Sequence, residues 1–225
     1  MTPRVADTGY WIEPQILSAA ECDALTASLF EDSASRGRAG TRHLMSNPPV
    51  SAVAHDPRLS GLASDLLGSS AVPFRATLFQ KSEQANWLIA WHQDTALPLT
   101  SRFQKDGWGS WSVKAGVIYA HAPAWALARV VALRLHLDES DADNGPLRVI
   151  PGSHLGGVLT DEAVLECARS RAPFECLSPR GGVIAMKPLL IHSSSKACSM
   201  RSRRVLHIEY CDSLELRSGI RLAIA

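Results

Sequence analysis

No Cys-x-x-Cys pair occurs in this chain. Its five cysteines, Cys22, Cys167, Cys176, Cys198 and Cys211, are scattered and odd in number. That argues against a thiolate zinc site or a thioredoxin-type redox motif, and reduced thiols in a cytoplasmic protein are the expectation. Charge of one sign is also lacking. The formal net charge is +1, so bulk attraction to nucleic acid or to a membrane surface is not expected. No run is long and apolar enough to span a bilayer. The segment Met1 to Asp7 has no apolar stretch, so no secretory signal is expected. Internal repeats, low-complexity tracts and domain linkers are likewise missing. What remains is 225 residues, 46% hydrophobic and 20% charged. That suits one globular domain over residues 1–225.

The order of patterns points to a mainly β fold behind a helical lead-in over about residues 1–70. Ser18 and Glu21 read as a capping box, and the helix they open should run from about Ala19 to Phe30 with Cys22, Leu25 and Leu29 on one face. Residues 31–50 are polar, contain Gly and Pro, and read as loop. Asp56-Pro57 starts a second helix that Gly68 should close. From about residue 71 to 215, short strands separated by turn signals are expected. They are Val72 to Lys81, Trp87 to Thr95, Val117 to Ala120, Val130 to Asp138, Leu147 to Ile150, Gly182 to Met186 and Arg204 to Tyr210. Such a series predicts a β-sandwich or jelly roll with helices outside. Residues 96–128 stand apart. Five of the six tryptophans lie between Trp87 and Trp125, and the region reads either as a loop packed on the core or as a lid and substrate wall.

The chemistry concentrates at Trp91-His92-Gln93-Asp94. If the apolar run before it is a strand, period two puts His92 and Asp94 on one face. A further imidazole would complete a 2-His-1-carboxylate triad, which leaves positions on iron open for a cosubstrate and oxygen. There are eight histidines to choose from. His192 is favoured by its downstream neighbours: Ser194, then the pair Arg203-Arg204 at the start of a strand. The distal carboxylate of 2-oxoglutarate needs a buried, permanently charged, bidentate partner, and arginine meets that need best. Period two turns one member of the pair inward and the other outward. Arg134 and His136 alternate with Leu133, Leu135 and Leu137, so they are expected to face the pocket. Trp87, Trp108 and Trp111 are further candidates for its wall.

Three stretches carry a resemblance to a known family: Trp91 to Thr95, Asn144 to His154, and His192 to Tyr210. The leading Gly9-Tyr10-Trp11-Ile12 adds to it. The chain resembles the phytanoyl-CoA dioxygenase family of Fe(II)/2-oxoglutarate-dependent oxygenases. The resemblance implies a double-stranded β-helix (a cupin-like jelly roll) with flanking N-terminal helices. It implies Fe(II) held by His92, Asp94 and His192, and 2-oxoglutarate held by Arg203 and Ser194, with Lys81 and Gln93 as further candidates. His154 matches a turn of the family that does not bind the metal. One departure is visible. The family often carries an asparagine after the second ligand histidine, where this chain has Lys196-Ala197-Cys198. Different local hydrogen bonding is expected there.

The implied reaction consumes O2 and 2-oxoglutarate, releases succinate and CO2, and hydroxylates an unactivated C–H of a small organic metabolite. A related halogenase would lack the carboxylate ligand, so Asp94 favours hydroxylation, or another oxidation such as desaturation, over halogenation. Two other readings compete. One is a catalytically silent jelly-roll binding protein. The other is a zinc hydrolase, which would give Arg203 and Ser194 no task.

Overall fold

The computed structural model describes residues 5–30, 40–82 and 85–225. In chain order the elements are helix α1 (Val5–Thr8), strand β1 (Tyr10–Glu13), helix α2 (Ala19–Phe30), strand β2 (Thr41–Arg42), and helices α3 (Pro48–Ala54) and α4 (Pro57–Leu67). Strands β3 (Val72–Lys81), β4 (Ile89–His92), β5 (Ala96–Leu99), β6 (Gly109–Lys114) and β7 (Val117–His121) come next, then helix α5 (Ala124–Leu127). Strands β8 (Val130–His136) and β9 (Leu147–Val149), helix α6 (Asp161–Ser170), and strands β10 (Phe174–Cys176), β11 (Val183–Met186), β12 (His192–Ser194) and β13 (Arg203–Cys211) complete the chain.

Local chemistry sets the helix ends. The Ser18 N–H donates to Glu21 Oε2 at 2.7 Å and the Glu21 N–H returns to Ser18 Oγ at 3.3 Å, so the expected capping box opens α2. Asp56 accepts the Arg58 N–H ahead of Pro57, and Gly68 closes α4 in the left-handed conformation. Four helices were not expected, α1, α3, α5 and α6. Asn47 caps α3 by accepting from Val50, and Thr160 caps α6 by accepting from Ala163. Both caps are legible in the sequence, but each helix is short and its apolar stripe is thin. The expected loop over 31–50 lies partly outside the described residues, and its described end forms β2 and the start of α3.

The strands form two facing antiparallel sheets and a smaller third one. The large sheet has the order β1-β11-β8-β13-β3-β2, the opposing sheet β10-β9-β12-β4, and the third β5-β7-β6. From β3 onward the chain passes between the two facing sheets so that consecutive strands wind around one core. This is the jelly roll that the strand series implied. The lead-in is not purely helical, since β1 and β2 cap the two edges of the large sheet. That protects edges that would otherwise expose unpaired backbone groups.

Period two sorts the large sheet into two faces. Its outer face presents Ala76, Leu78, Leu133, Leu135, Leu206, Ile208 and Tyr210 to the helices, where they pack with Cys22, Leu25, Val50, Leu59 and Ala63. Its inner face meets the opposing sheet through Ala132, Ile184, Met186, Leu147 and Val149. The leucines of β8 therefore lie under the helices, and Arg134 lies on the inner face. Tyr210 fastens the helical layer to the sheet by donating its buried hydroxyl to the Ala54 carbonyl at 2.8 Å.

Residues 96–128 share both expected roles, since Trp108, Trp111 and Trp125 pack on a core cluster while Ala96, Lys114, Tyr119 and His121 line a cavity. They form the β5-β7-β6 meander and α5, and the aromatic rings turn to one another. Phe103 sits edge-on to Trp108 and Trp111 with centroids 5.3 and 5.1 Å apart, and Trp108 meets Trp125. Among the described residues no helix is long and apolar enough to cross a membrane. Replacing Tyr210 by Phe leaves the buried Ala54 carbonyl without its donor. It should cost about 1–3 kcal/mol in urea unfolding with an unchanged denaturant slope.

Candidate metal and cosubstrate site

Strand pairing builds the site. In the register of β4 with β12, His92 lies opposite His192, and their ring centroids are 4.2 Å apart. Each imidazole is oriented in the same way. His92 Nδ1 meets the Ala90 carbonyl at 2.8 Å, and His192 Nδ1 meets the Leu190 carbonyl at 2.9 Å. With Nδ1 protonated toward a carbonyl, Nε2 keeps its lone pair for a metal. Asp94 supplies the carboxylate. Its Oδ1 is 3.8 Å from His92 Nε2 and its Oδ2 is 3.5 Å from His192 Nε2. The three ligand atoms all lie within 4.8 Å of one another.

One expectation about this geometry needs correction. β4 ends at His92, so Asp94 is not a strand residue. It stands in the next turn, where its N–H donates to the Pro188 carbonyl at 2.9 Å. Gln93 supports that turn. Its amide donates to the carbonyls of Gly157 and Leu189 and accepts the Leu159 N–H. With the amide thus committed to backbone, Gln93 positions its neighbours and has nothing left for a cosubstrate.

The protonation states suit a cation. Burial pushes His192 down to about 3, so it is neutral at physiological pH. Burial would raise the Asp94 carboxyl, but His192, His92, His207 and Arg75 outweigh that and hold it below the usual carboxylate range. A carboxylate flanked by imidazole lone pairs is a donor set for a divalent transition metal.

Next to this cluster lies a buried positive region. Arg203 is 4% exposed and Lys81 1% exposed, and they face each other across β13 and β3. Lys81 Nζ donates to Ser194 Oγ at 2.7 Å and to the Ser195 carbonyl. Arg203 donates through Nη2 to Ser194 Oγ at 3.3 Å and through Nε to the Asn144 carbonyl at 3.2 Å. Its Nη1 is buried with no partner. The Ser194 hydroxyl itself donates to the Gly145 carbonyl at 2.9 Å, so it must rotate to serve a carboxylate. Gly145 has φ of 69°, and a Cβ there would lie 2.4 Å from the Ser195 carbonyl oxygen and 3.0 Å from Lys81 Nζ. Only glycine fits that approach.

The cations depress one another. Burial, then Arg203 and Arg134, push Lys81 down to about 7. Burial, then Arg134, push Arg203 down to about 9, which still leaves it charged near neutrality. No carboxylate among the described residues pairs with either. Arg204 takes the outward place and pairs with Asp138 through Nε at 2.6 Å and Nη2 at 2.5 Å. The alternation expected of the two arginines therefore holds.

The cavity has a volume of about 340 Å³, and the three ligand residues, Lys81, Ser194, Arg203, Arg134 and Trp87 are among its lining. Three expected pocket residues are elsewhere. Trp108, in the loop before β6, and Trp111, within β6, pack against a core cluster and on their shared neighbour Phe103 instead. His136 is fully buried beside Arg134 and Arg203, which with burial push it well below the ordinary imidazole range, and it does not reach the cavity. His154 bonds the Ala6 carbonyl at 3.1 Å and is far from any ligand role. Where the segment after His192 lacks an asparagine, Asn86 takes up the backbone. Its amide both donates to the Ala197 carbonyl at 2.9 Å and accepts the Ala197 N–H at 2.8 Å.

Several cavity residues were missed. Arg75, Thr77 and Phe79 line it along with Lys81. Their spacing of two inside the expected strand Val72 to Lys81 was the available signal. Arg75 pairs with the buried Glu209. Arg42, Lys114, Tyr119, His121 and His207 also reach the cavity, and nothing local in the sequence marks them.

The model of the phytanoyl-CoA dioxygenase (PhyH) family matches residues 6–205. The chain belongs to this family. Among curated proteins, the L-proline trans-4-hydroxylase of Streptomyces griseoviridis is 31% identical over 182 residues, which is 68% of this chain and 59% of that protein. The chain thus spans less than two thirds of that relative. Among solved structures, AviO1 from Streptomyces viridochromogenes Tue57 superposes with a TM-score of 0.67 at 22% identity, over 93% of this chain and 92% of that one. EctD from S. alaskensis, solved with 2-oxoglutarate and 5-hydroxyectoine, superposes with a TM-score of 0.67 at 23% identity, over 92% and 73%. These neighbours share the jelly-roll fold of this PhyH chain.

Asp94→Ala removes the one charged donor of the cluster. Affinity for Zn(II), measured by competition with a chelating dye, should fall by more than about 100-fold, beyond what loss of an outer hydrogen-bond partner costs.

Proposed function

We propose that the protein is a cytoplasmic Fe(II)- and 2-oxoglutarate-dependent dioxygenase that hydroxylates an unactivated C–H of a small organic molecule. Substrate R–H, O2 and 2-oxoglutarate give R–OH, succinate and CO2. The observation that carries this reading is the adjacency of two features. A His-Asp-His cluster lies beside a buried arginine that has a donor to spare and no acidic partner. The named activities of the L-proline hydroxylase relative and the ligands of the EctD structure support it.

His92, Asp94 and His192 would hold Fe(II), which with bound 2-oxoglutarate supplies the oxidising chemistry. The protein binds, orients and shields. Arg203 Nη1 offers a fixed donor to the distal carboxylate, and Lys81 and a rotated Ser194 hydroxyl offer two more. Gln93 and the Pro188 carbonyl hold the Asp94 turn in place. Arg134, which donates to His207 Nδ1 at 3.2 Å, adds positive potential close to the ligands. The Asp94 carboxylate completes a three-residue ligand set, which favours hydroxylation over halogenation. A zinc hydrolase would have no use for the unpaired Arg203.

With Fe(II), 2-oxoglutarate and ascorbate the protein should form succinate, and a catalytically silent binding protein would form none. Arg203→Met should weaken 2-oxoglutarate binding roughly 10- to 100-fold, as loss of a charge-assisted hydrogen bond implies. Lys81 adds a pH dependence. Its ammonium is at about 7 in the folded protein against 10.5 as the ordinary value. Above pH 7 the ligand-free folded state has lost a proton that the unfolded chain keeps, so this group's contribution to stability rises with pH between those values. An incoming carboxylate favours the charged form, so 2-oxoglutarate should bind more weakly as pH rises from 6 to 8.5. Lys81→Met should flatten that dependence in calorimetric titrations at saturating metal.

A further inference from the structure

The cavity has a second cationic end, remote from Arg203. Arg75, Thr77, Phe79 and Lys81 line it from one face of β3. Six residue steps at about 3.3 Å each put the Arg75 and Lys81 positions roughly 20 Å apart. At the Lys81 end, Ser194 comes two residues after His192 along β12, so the path from the metal cluster to Arg203 is the one 2-oxoglutarate would occupy. Asp94 borders the other end, where Arg75 Nη1 donates at 3.0 Å to the carbonyl of Ala96, two residues further along the chain.

At that other end two cations stand at the rim. β2 pairs with β3 so that Arg42 lies opposite Thr77, which faces the cavity. Lys114 is the last residue of β6, held at the tip of a hairpin by Ala115 and Gly116 with φ of 45° and 83°. That is the backbone a tight two-residue turn requires. The Lys114 ammonium lies over the Tyr119 ring, 5.0 Å from its centroid. Tyr119 in turn bonds His43 Nε2 through its hydroxyl at 2.8 Å. Arg75 is neutralised by Glu209, but among the described residues no acidic side chain pairs with Arg42 or Lys114. They crowd each other, and Lys114 is lowered by burial and by Arg42 and Arg75. Among the described residues, Asp94, the proposed metal ligand, is the one carboxylate of the cavity lining.

The two negative charges of 2-oxoglutarate answer the cations at the Arg203 end and the metal. They leave Arg42 and Lys114 unanswered at the end of the cavity opposite Arg203. We propose that the substrate is a compact carboxylate whose acid group docks between Arg42 and Lys114, with the carbon to be oxidised pointing toward the metal cluster. The cavity, at about 340 Å³, has room for 2-oxoglutarate and one further molecule of similar size. This inference rests on the oxygenase reading and adds the substrate class to it.

The test uses matched sets of small molecules: free amino acids, N-acetyl amino acids and arylacetic acids, each beside its primary amide and the phosphate monoester of the corresponding alcohol. Binding to the 225-residue chain loaded with Zn(II) and 2-oxoglutarate is read by ligand-observed NMR. Stimulation of succinate formation is read with Fe(II). The acids should bind or stimulate at least about tenfold better than their amides, the range of one charge-assisted hydrogen bond. Arg42→Gln and Lys114→Gln, both at exposed positions, should each cut that preference about tenfold, and the double variant should abolish it. Equal response to amides, preference for the phosphate esters, no response to any acid, or an acid preference untouched in both variants would overturn the assignment. A protein that takes up no 2-oxoglutarate in the presence of metal defeats the oxygenase reading and this inference with it. One that takes it up and fails the acid–amide comparison defeats this inference alone.

Discussion

The pairing of β4 with β12 is the constraint on which the rest of the site depends. Cross-strand neighbours are held about 5 Å apart whatever their chemistry, so the backbone ladder alone brings His92 and His192 together across a hundred residues of chain. The same ladder presents the Ala90 and Leu190 carbonyls to the two Nδ1 atoms. Ligand separation and ligand tautomer therefore have one cause. Asp94 needs more, because it stands beyond the strand. The Pro188 carbonyl and the Gln93 amide fix its turn, tying it to Pro188 and Leu189 ahead of β12 and to Gly157 and Leu159 ahead of α6.

Electrostatics then divides the molecule by face. Outside, charges find partners, as Arg204 does with Asp138 and Arg58 with Glu21 and Asp56. Inside, Arg75 has Glu209, while Lys81 and Arg203 have hydroxyls and carbonyls but no acid. Buried cations left this way are unfavourable for folding. The depressed titration of Lys81 and Arg203 expresses that cost. In the proposed function a dianionic cosubstrate would relieve it, and the conflict between folding and charge is what points to this place for the ligand. The outer face of β13 can tolerate it because Leu206, Ile208 and Tyr210 are packed under the helices.

Much of this was legible residue by residue. Capping chemistry placed α2 and α4, and the alternation of β8 correctly separated Arg134 from its leucines. The order Arg203-Arg204 was resolvable only to one inward and one outward member. Legibility failed where the signal was shared or too short. Trp108 and Trp111 carry no periodicity that separates a pocket wall from a ring cluster, and the aromatic cluster won because Phe103 and Trp125 were near. His136 shares the inward face of Arg134 yet is fully buried and does not reach the cavity, a matter of depth that alternation does not encode. Strands of three residues, such as β10 and β12, are shorter than the pattern needed to detect them. Arg75, Thr77 and Phe79 were legible and overlooked.

By itself the sequence determined the local pieces: two capped helices, the period-two strands, the His92-x-Asp94 donor pair and an arginine near the start of β13. These depend on contacts within a few residues, where spacing is geometry. Only the tertiary structure decided that His192 is the imidazole opposite His92, that Arg203 rather than Arg204 faces inward, and that Arg42 and Lys114 share one rim. Those relations are set by strand register and by the winding of two sheets around one core. Register is a property of partners distant along the chain, and no local spacing carries it.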